Sequence, residues 1–531
     1  MESMSSSLVQ RLTWQNVIIA TLVLLRVLYG FFYNVFLHPL SGYPGPLLNS
    51  GLDLPKILHQ LKGTIHENVL ELHEAYGSVV RIAPDELSYI TAEAQRDIHG
   101  NRGGLRPLPP NPIYGAKERE FFGAFGLLWL VDHDAHARHR KLLAPAFSDK
   151  SLKDQEPIIT VYVDLLMQRM RELAGQKVDM WAWFNYTTFD IIGDLTFGEP
   201  FGCLQESELH PWIHFIFSRL NMMMYGQIIN TMGAAGHVIE MLVPRYIKRE
   251  ALSHVESTKA KVDRRVSRGP SRPDFVDAIL DHREKTAGLS KAELYADSQI
   301  LVMAGSETSA TLLAVTVYYL LRTPHAMDKL QKEIRTRFDS EADIKFATVS
   351  KLPYILAVIN EALRIHPPLP AGINRMVPAG GAHVNGKYVP AGTNLQVPHW
   401  AAYHSSSNFR DPWLFVPERW LDGDKEYAGD NKEVFQPFNL GPRGCIGRSL
   451  AYMETRLILA RLVYSFDMEL LPDALGWNKM RVFLLYEKRP LYVKLTPVPT
   501  KLKSGHKAME RVHLDPACFS NDSYLCLSAV C

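Results

Sequence analysis

Cysteine is scarce in this chain: five in 531 residues, three of them (Cys518, Cys526 and Cys531) crowded into the last fourteen positions. So few, so scattered, they cannot build a disulfide framework, and no CxxC pair points to zinc. The body of the protein is therefore suited to a reducing compartment. Net charge is almost lacking too, at +2, which excludes a global basic field of the kind that binds nucleic acid. With 47% apolar and 21% charged residues the chain can bury a large core. Length alone would allow several domains.

One apolar run is present at the N-terminus. Val17 to Leu37 reads VIIATLVLLRVLYGFFYNVFL, close to the ~20 residues that span a bilayer. Arg26 in its middle costs ~2.5–3.5 kcal/mol on insertion scales, whereas the fourteen Leu, Ile, Phe and Val residues return about 6 kcal/mol. Insertion wins, and 1–37 reads as a membrane anchor. A cleaved signal peptide is the alternative, but the stretch is long and has no A-x-A pattern. HPLSGYPGP follows, so 38–60 reads as a Pro/Gly hinge that cannot continue a helix.

The stretch Phe438 to Arg448, FNLGPRGCIGR, organises the rest. Cys445 lies in a loop punctuated by Gly441, Pro442, Gly444 and Gly447, with Arg443 two positions before it. After Gly447 the apolar residues recur at three- and four-residue spacing, so the thiol precedes a long helix. The helix end and nearby N–H groups lower a thiol's pKa. Glycines let the backbone approach a flat ligand. Taken alone, a buried structural cysteine is an equal alternative. The full pattern FxxGxRxCxG is more restrictive, and it resembles the haem-thiolate loop of the cytochrome P-450 monooxygenases. That resemblance implies that Cys445 is the axial iron ligand. It further implies that Phe438 packs near the thiolate, that Gly447 belongs to the haem site and that Arg443 pairs with a haem propionate.

Elsewhere the sequence reads in pieces. Leu61 to Tyr76 reads as a helix, and Val79 to Ile82 with Leu87 to Ile90 as a strand pair. Arg102 to Pro112 reads as an irregular loop, and the aromatics Phe121, Phe122, Phe125 and Trp129 follow it; in the family this stretch lies over the substrate cavity. His133, His136 and His139 recur every third residue. The run reads as a solvated basic helix face, with a metal site the alternative. By resemblance, His136 and Arg140 reach haem propionates, and Arg138, Arg140 and Lys141 form a positive patch for an acidic reductase. Trp181 to Phe197 reads as a buried helix, Met222 to Met224 as a cavity or membrane-facing run, and Arg264 to Pro273 as a charged linker.

Ser290 and Glu293 form a capping box that starts a helix running from Lys291 to about Leu321. Midway, Gly305, Ser306, Glu307 and Thr308 interrupt an apolar core, leaving a carbonyl, a hydroxyl and an acid at one point. Alternatively Thr308 only bonds backbone and Glu307 makes an ion pair. The match to the family's oxygen-activation motif implies that Thr308 orients dioxygen and water and that Glu307 relays protons. Glu361 and Arg364 share one helix face. With Arg419 of PERW they match the family's buried triad bracing the cysteine loop. Arg375 matches a further propionate ligand, with Ala371, Gly372 and Ile373 lining the pocket. His383 to Val389 suggests short strands, and Val482 to Leu485 and Leu491 to Leu495 read as a strand pair.

The resemblance covers roughly Leu40 to Pro499. It implies a mainly α fold with a small β region, the haem-thiolate domain at 61–500, and a disordered extension at 501–531. The function implied is insertion of one oxygen atom from O2 into an apolar small molecule. The implied cofactor is haem b, with electrons from NADPH through NADPH-cytochrome P-450 reductase and cytochrome b5 as a further donor. A single-pass endoplasmic reticulum membrane protein with a cytosolic catalytic domain is implied, its sequon at Asn185 left unglycosylated. GPRGCIGRSLAYMETRLILARL and PERWLDGD are similar to filamentous-fungal members acting in secondary metabolism, such as the isotrichodermin-hydroxylase-like group. An isomerase or dehydratase of the same fold and a non-catalytic haem sensor are the alternatives.

Overall fold

A computed structural model describes residues 2–101, 106–210, 224–232, 234–241, 245–269, 272–281 and 288–499. The readings of Met222 and Met223, of part of the 102–112 loop and of 501–531 lie outside those residues.

The architecture is mainly helical with small sheets. Its axis is the helix Lys291–Arg322, opened by the expected capping box of Ser290 and Glu293. At ~1.5 Å per residue its 32 residues make a rod of about 48 Å. Most of that rod is buried. Met180–Phe197 crosses it, buried on nearly every face as its sequence requires, and capped by the Asp179 carboxylate at Trp181 N (3.1 Å). The crossing is tight at Gly305, where a Cβ would lie 2.6 Å from Ile192 Cδ1. Close helix approach therefore explains this glycine without recourse to chemistry.

A four-stranded sheet runs in the order Val79–Ala83, Glu86–Tyr89, Asn394–Gln396, Arg375–Met376. Its middle pair is parallel and the outer pairs antiparallel. Hairpins form at Ala382–Val384 with Lys387–Val389, and at Val482–Phe483 with Leu485–Tyr486.

Three expectations change. The helix foreseen at Leu61 to Tyr76 is two, Leu54–Lys62 and Ile65–Tyr76. Gly63 breaks it at φ +75°, where a Cβ would lie 2.6 Å from Arg481 Cβ. The segment after Leu491 does not pair with Val482 to Leu485. Tyr492–Pro497 instead lies between Lys177–Asp179 and Phe466–Leu470. Of the charged linker expected at Arg264 to Pro273, Arg264 to Ser267 belong to the helix Arg245–Ser267, where buried Arg265 is clasped by Asp274 at 2.7 and 3.0 Å. Arg265 there serves a buried ion pair, whereas Arg264 and Arg268 stay about half exposed.

The N-terminal helix Glu2–Phe32 continues as one π-helical stretch to Leu37 and stops before Pro39. Asn16–Leu37 is long and apolar enough to span a membrane, with mean hydropathy 1.8; its most apolar stretch is exposed throughout, and Val35 near its end is buried. The Pro/Gly segment then packs on the folded body: Leu40 is fully buried and Asn49 Nδ2 donates to Ile82 O (3.1 Å). The sequon asparagine, Asn185, is buried, donating to Trp181 O (2.7 Å) and accepting from Lys488 Nζ (2.9 Å).

Candidate active site

The cysteine loop is wound by its own backbone. Cys445 N donates to Phe438 O (2.7 Å) and Gly444 N to Gly441 O (3.0 Å). Gly441 takes φ +69°, and a Cβ there would stand 2.3 Å from His99 O. No other residue fits that contact. Asn439, also left-handed at φ +59°, accepts from Gln95 Nε2 (3.0 Å). The Phe438 ring packs on Tyr452, centroids 5.2 Å apart. The helix Arg448–Ser465 starts directly after Gly447, as expected.

Cys445 opens onto a cavity of about 410 Å³. Ala304, Gly305 and Thr308 of the long helix line it, with Leu127, Trp129, Met224, Ala371 and Ile373. Apolar side chains dominate this wall, so the cavity suits an apolar guest. Phe121 and Phe122 do not reach it; they pack against Val255 and Ala296.

The same cavity is lined by His136, Arg140, Arg375 and Arg443. Arg140 Nη1 donates to Gly444 O (2.6 Å), and Arg443 Nη1 to Leu130 O (2.6 Å). Arg375 Nη1 and Arg443 Nε are buried with no partner. Among the described residues none of the three arginines pairs with a carboxylate. Burial, then Arg443, pulls the Arg375 guanidinium down to about 9, and burial pulls Arg443 to about 10. Burial and the three arginines push His136 down to about 3, so it is neutral. Concentrated, unmatched positive charge beside an apolar cavity awaits an anionic ligand. The Cys445 thiol differs from its expectation. Burial raises its pKa, and the Gly447 N–H, Arg140 and Arg448 oppose that without reversing it.

Across the cavity Thr308 Oγ1 donates to Ala304 O (2.6 Å). The long helix stays α-helical through this point. Glu307 is elsewhere. It is buried, does not line the cavity, and pairs with Lys488 Nζ at 2.9 Å. Adjacent helix positions point about 100° apart, so hydroxyl and acid occupy different faces. Burial raises the Glu307 carboxyl and lowers the Lys488 ammonium to about 8.

Glu361, Arg364 and Arg419 come together in one buried cluster. Arg364 grips Glu361 bidentately (2.9 and 2.8 Å), Arg419 Nε reaches Glu361 at 3.1 Å, and all three side chains are fully buried. Trp420 Nε1 and Val416 N add bonds of 2.9 Å to the same carboxylate. Arg419 also pairs with buried Asp430, and Arg364 bonds the carbonyls of Tyr403, Pro412 and Leu414.

A family model described as cytochrome P450 matches residues 39–495. The chain belongs to the cytochrome P450 family. It is 41% identical over 476 residues to cytochrome P450 monooxygenase atr2 of Stereocaulon alpinum, covering 89% of this chain and 93% of that protein. It is 42% identical over 492 residues to averantin hydroxylase of Dothistroma septosporum, covering 91% of each. Cytochrome P450 monooxygenase astA of Talaromyces wortmannii is 40% identical over 486 residues, 91% of this chain and 98% of that protein. This P450 is thus an oxygen-incorporating oxidoreductase, using haem iron and electrons from a redox partner. Its residues fit that group: a thiol open to the cavity, apolar walls, and orphaned guanidinium atoms on one side for carboxylates.

The helix His133–Leu143 overturns two expectations. His139 is fully buried, its Nδ1 2.9 Å from Asp297 and its Nε2 3.2 Å from Glu293, so this is no solvated face. Arg138 is committed to Glu293 and Arg140 turns to the P450's cavity, which leaves Lys141 alone of the anticipated docking patch. No cluster of His, Cys, Asp and Glu able to hold a metal occurs among the described residues. Sequence reasoning missed Lys488, Trp420 and Asp430. Lys488 and Trp420 meet Glu307 and Glu361 from far along the chain, where no local pattern announces them, and Asp430, 11 positions past Arg419, sits in an irregular loop that carries no periodicity.

Proposed function

We propose that Cys445 is the axial thiolate of a haem b group and that this P450 hydroxylates an apolar metabolite in a fungal secondary-metabolite pathway. The observation that carries the reading is one cavity bounded by the Cys445 thiol, by three arginines without carboxylate partners, and by Thr308 on the facing helix. When bound, the haem supplies activation of O2 for insertion into a C–H or C=C bond. Arg140, Arg375 and Arg443 would hold its propionates by charge-assisted bonds, and neutral His136 would add a ring N–H. The apolar wall excludes water from the reacting carbon. Thr308 presents its hydroxyl to the cavity and holds a proton at Oγ1. Glu307, on a neighbouring face of the helix outside the cavity, supplies protons rather than touching substrate.

Electrons come from NADPH through a membrane-bound reductase, with cytochrome b5 as a further donor. The exposed apolar helix supports anchoring of residues 1–37, here assigned to the endoplasmic reticulum with the 61–500 domain on the cytosolic side. The test is the reduced, carbon-monoxide-treated spectrum. Wild type is expected to give the red-shifted thiolate Soret band and Cys445→Ala none. Absence of the band from wild type would refute the assignment.

A further inference from the structure

One end of the cavity departs from its apolar character. Lys56, Glu86, Tyr114 and Asn374 line it together, each from a different segment of the fold. Lys56 is ion-paired with Glu86, whose side chain is 2% exposed. Asn374 Nδ2 donates both to Glu86 Oε1 (3.2 Å) and to Tyr114 OH (3.1 Å). Burial, then Glu86, pushes the Tyr114 phenol up, so it stays a neutral donor at physiological pH. As a fastener between helix and strand, a buried ion pair is no better than two apolar side chains. In the wall of a cavity, the same atoms can meet a ligand.

We propose that this cluster is the polar recognition end of the substrate site and selects a neutral hydroxyl, of a phenol or an alcohol, on an otherwise apolar molecule. The inference rests on the cavity being the substrate site, as argued above. Charge narrows the class. One ammonium faces Glu86, and Asp53 and Asp85 lie close enough to act on the same network. A carboxylate ligand would be repelled by those acids. An amine would compete with Lys56 for Glu86. A hydroxyl accepts from the Lys56 ammonium or the Tyr114 O–H and donates to Glu86, burying no added charge.

The test uses purified holoenzyme and equilibrium dialysis with three probes of nearly one shape: 2-naphthol, 2-methylnaphthalene and 2-naphthoate. Wild type is expected to bind 2-naphthol about tenfold more tightly than 2-methylnaphthalene, and 2-naphthoate most weakly. Lys56→Met and Tyr114→Phe should each cut that preference at least threefold while leaving 2-methylnaphthalene unchanged, and an undiminished preference in both would overturn the proposal. Tyr114→Phe keeps the test decisive should Lys56→Met fail to fold. Equal binding of naphthol and methylnaphthalene, tightest binding of naphthoate, or equal loss for all probes in Tyr114→Phe would overturn the proposal. Each sample's carbon-monoxide spectrum is recorded alongside. A normal band without selectivity defeats only the recognition end, whereas a missing band defeats the haem-thiolate reading.

Discussion

Thr308 reaches the cavity with its hydroxyl already bonded to Ala304 O at 2.6 Å. Its oxygen still has lone pairs for a water or ligand, and its proton is shared with a backbone carbonyl. Thr308→Ala keeps a good helix former in place, so fold and haem content should survive. Coupling should not: product formed per reduced nicotinamide consumed is expected to fall about tenfold or more, with peroxide rising, and Thr308→Ser should restore most of it. An unchanged ratio would remove Thr308 from the chemistry. Glu307 was legible as an acid beside that hydroxyl, but its direction was not. Which face of a helix an acid occupies depends on what waits there, and here Lys488 waits, 181 positions downstream.

At the scale of elements, Glu361 gathers two arginines, an indole and a backbone N–H into one buried junction. Removing that carboxylate leaves the Arg364 guanidinium without an anionic partner in a dry interior, while Arg419 keeps Asp430, costing ~3–5 kcal/mol. Glu361→Ala is expected to be recovered with little haem, as read by the pyridine haemochrome assay. Full haem content would count against the brace. Gly441 provides a second check, because its left-handed backbone and the 2.3 Å approach to His99 O both forbid a Cβ. Gly441→Ala should destabilise the cysteine loop by about 1–3 kcal/mol and lower haem retention on heating. The capping box, the Glu361–Arg364 pair and the glycines of the cysteine loop were readable because each is short-range, whereas Arg419, 58 positions from Glu361, joined the triad only through the family resemblance. The strand at Tyr492–Pro497 was misassigned because its partners, Lys177–Asp179 and Phe466–Leu470, are distant in sequence and a β pattern carries no address.

Across the whole molecule, histidines make the fold sensitive to acid. Burial lowers His66, His73, His254 and His399 from the ordinary 6.5 to about 4. Depressed histidines bind protons more readily when unfolded, so their stabilisation is complete above pH 6.5 and is lost as pH falls toward 4. Each removes roughly 1.4 kcal/mol per pH unit within that window. Buried Glu118 and Glu454, raised to about 8, oppose part of this slope; the four histidines outnumber them, so the urea midpoint is expected to drop between pH 6.5 and 5, and His66→Gln should flatten the slope. A midpoint independent of pH over that range would contradict the burial. Helical content could be foreseen from pattern and a haem site from the family resemblance; this acid window could not, since periodicity does not reveal which histidines lose water.

Asn185 has a practical consequence for mapping membrane orientation. Its amide is enclosed by Trp181 and Lys488, out of reach of any transferase once the domain has folded. A missing glycan at this sequon therefore reports enclosure, not sidedness. Sugar-based topology experiments need an acceptor engineered on an open surface of the domain.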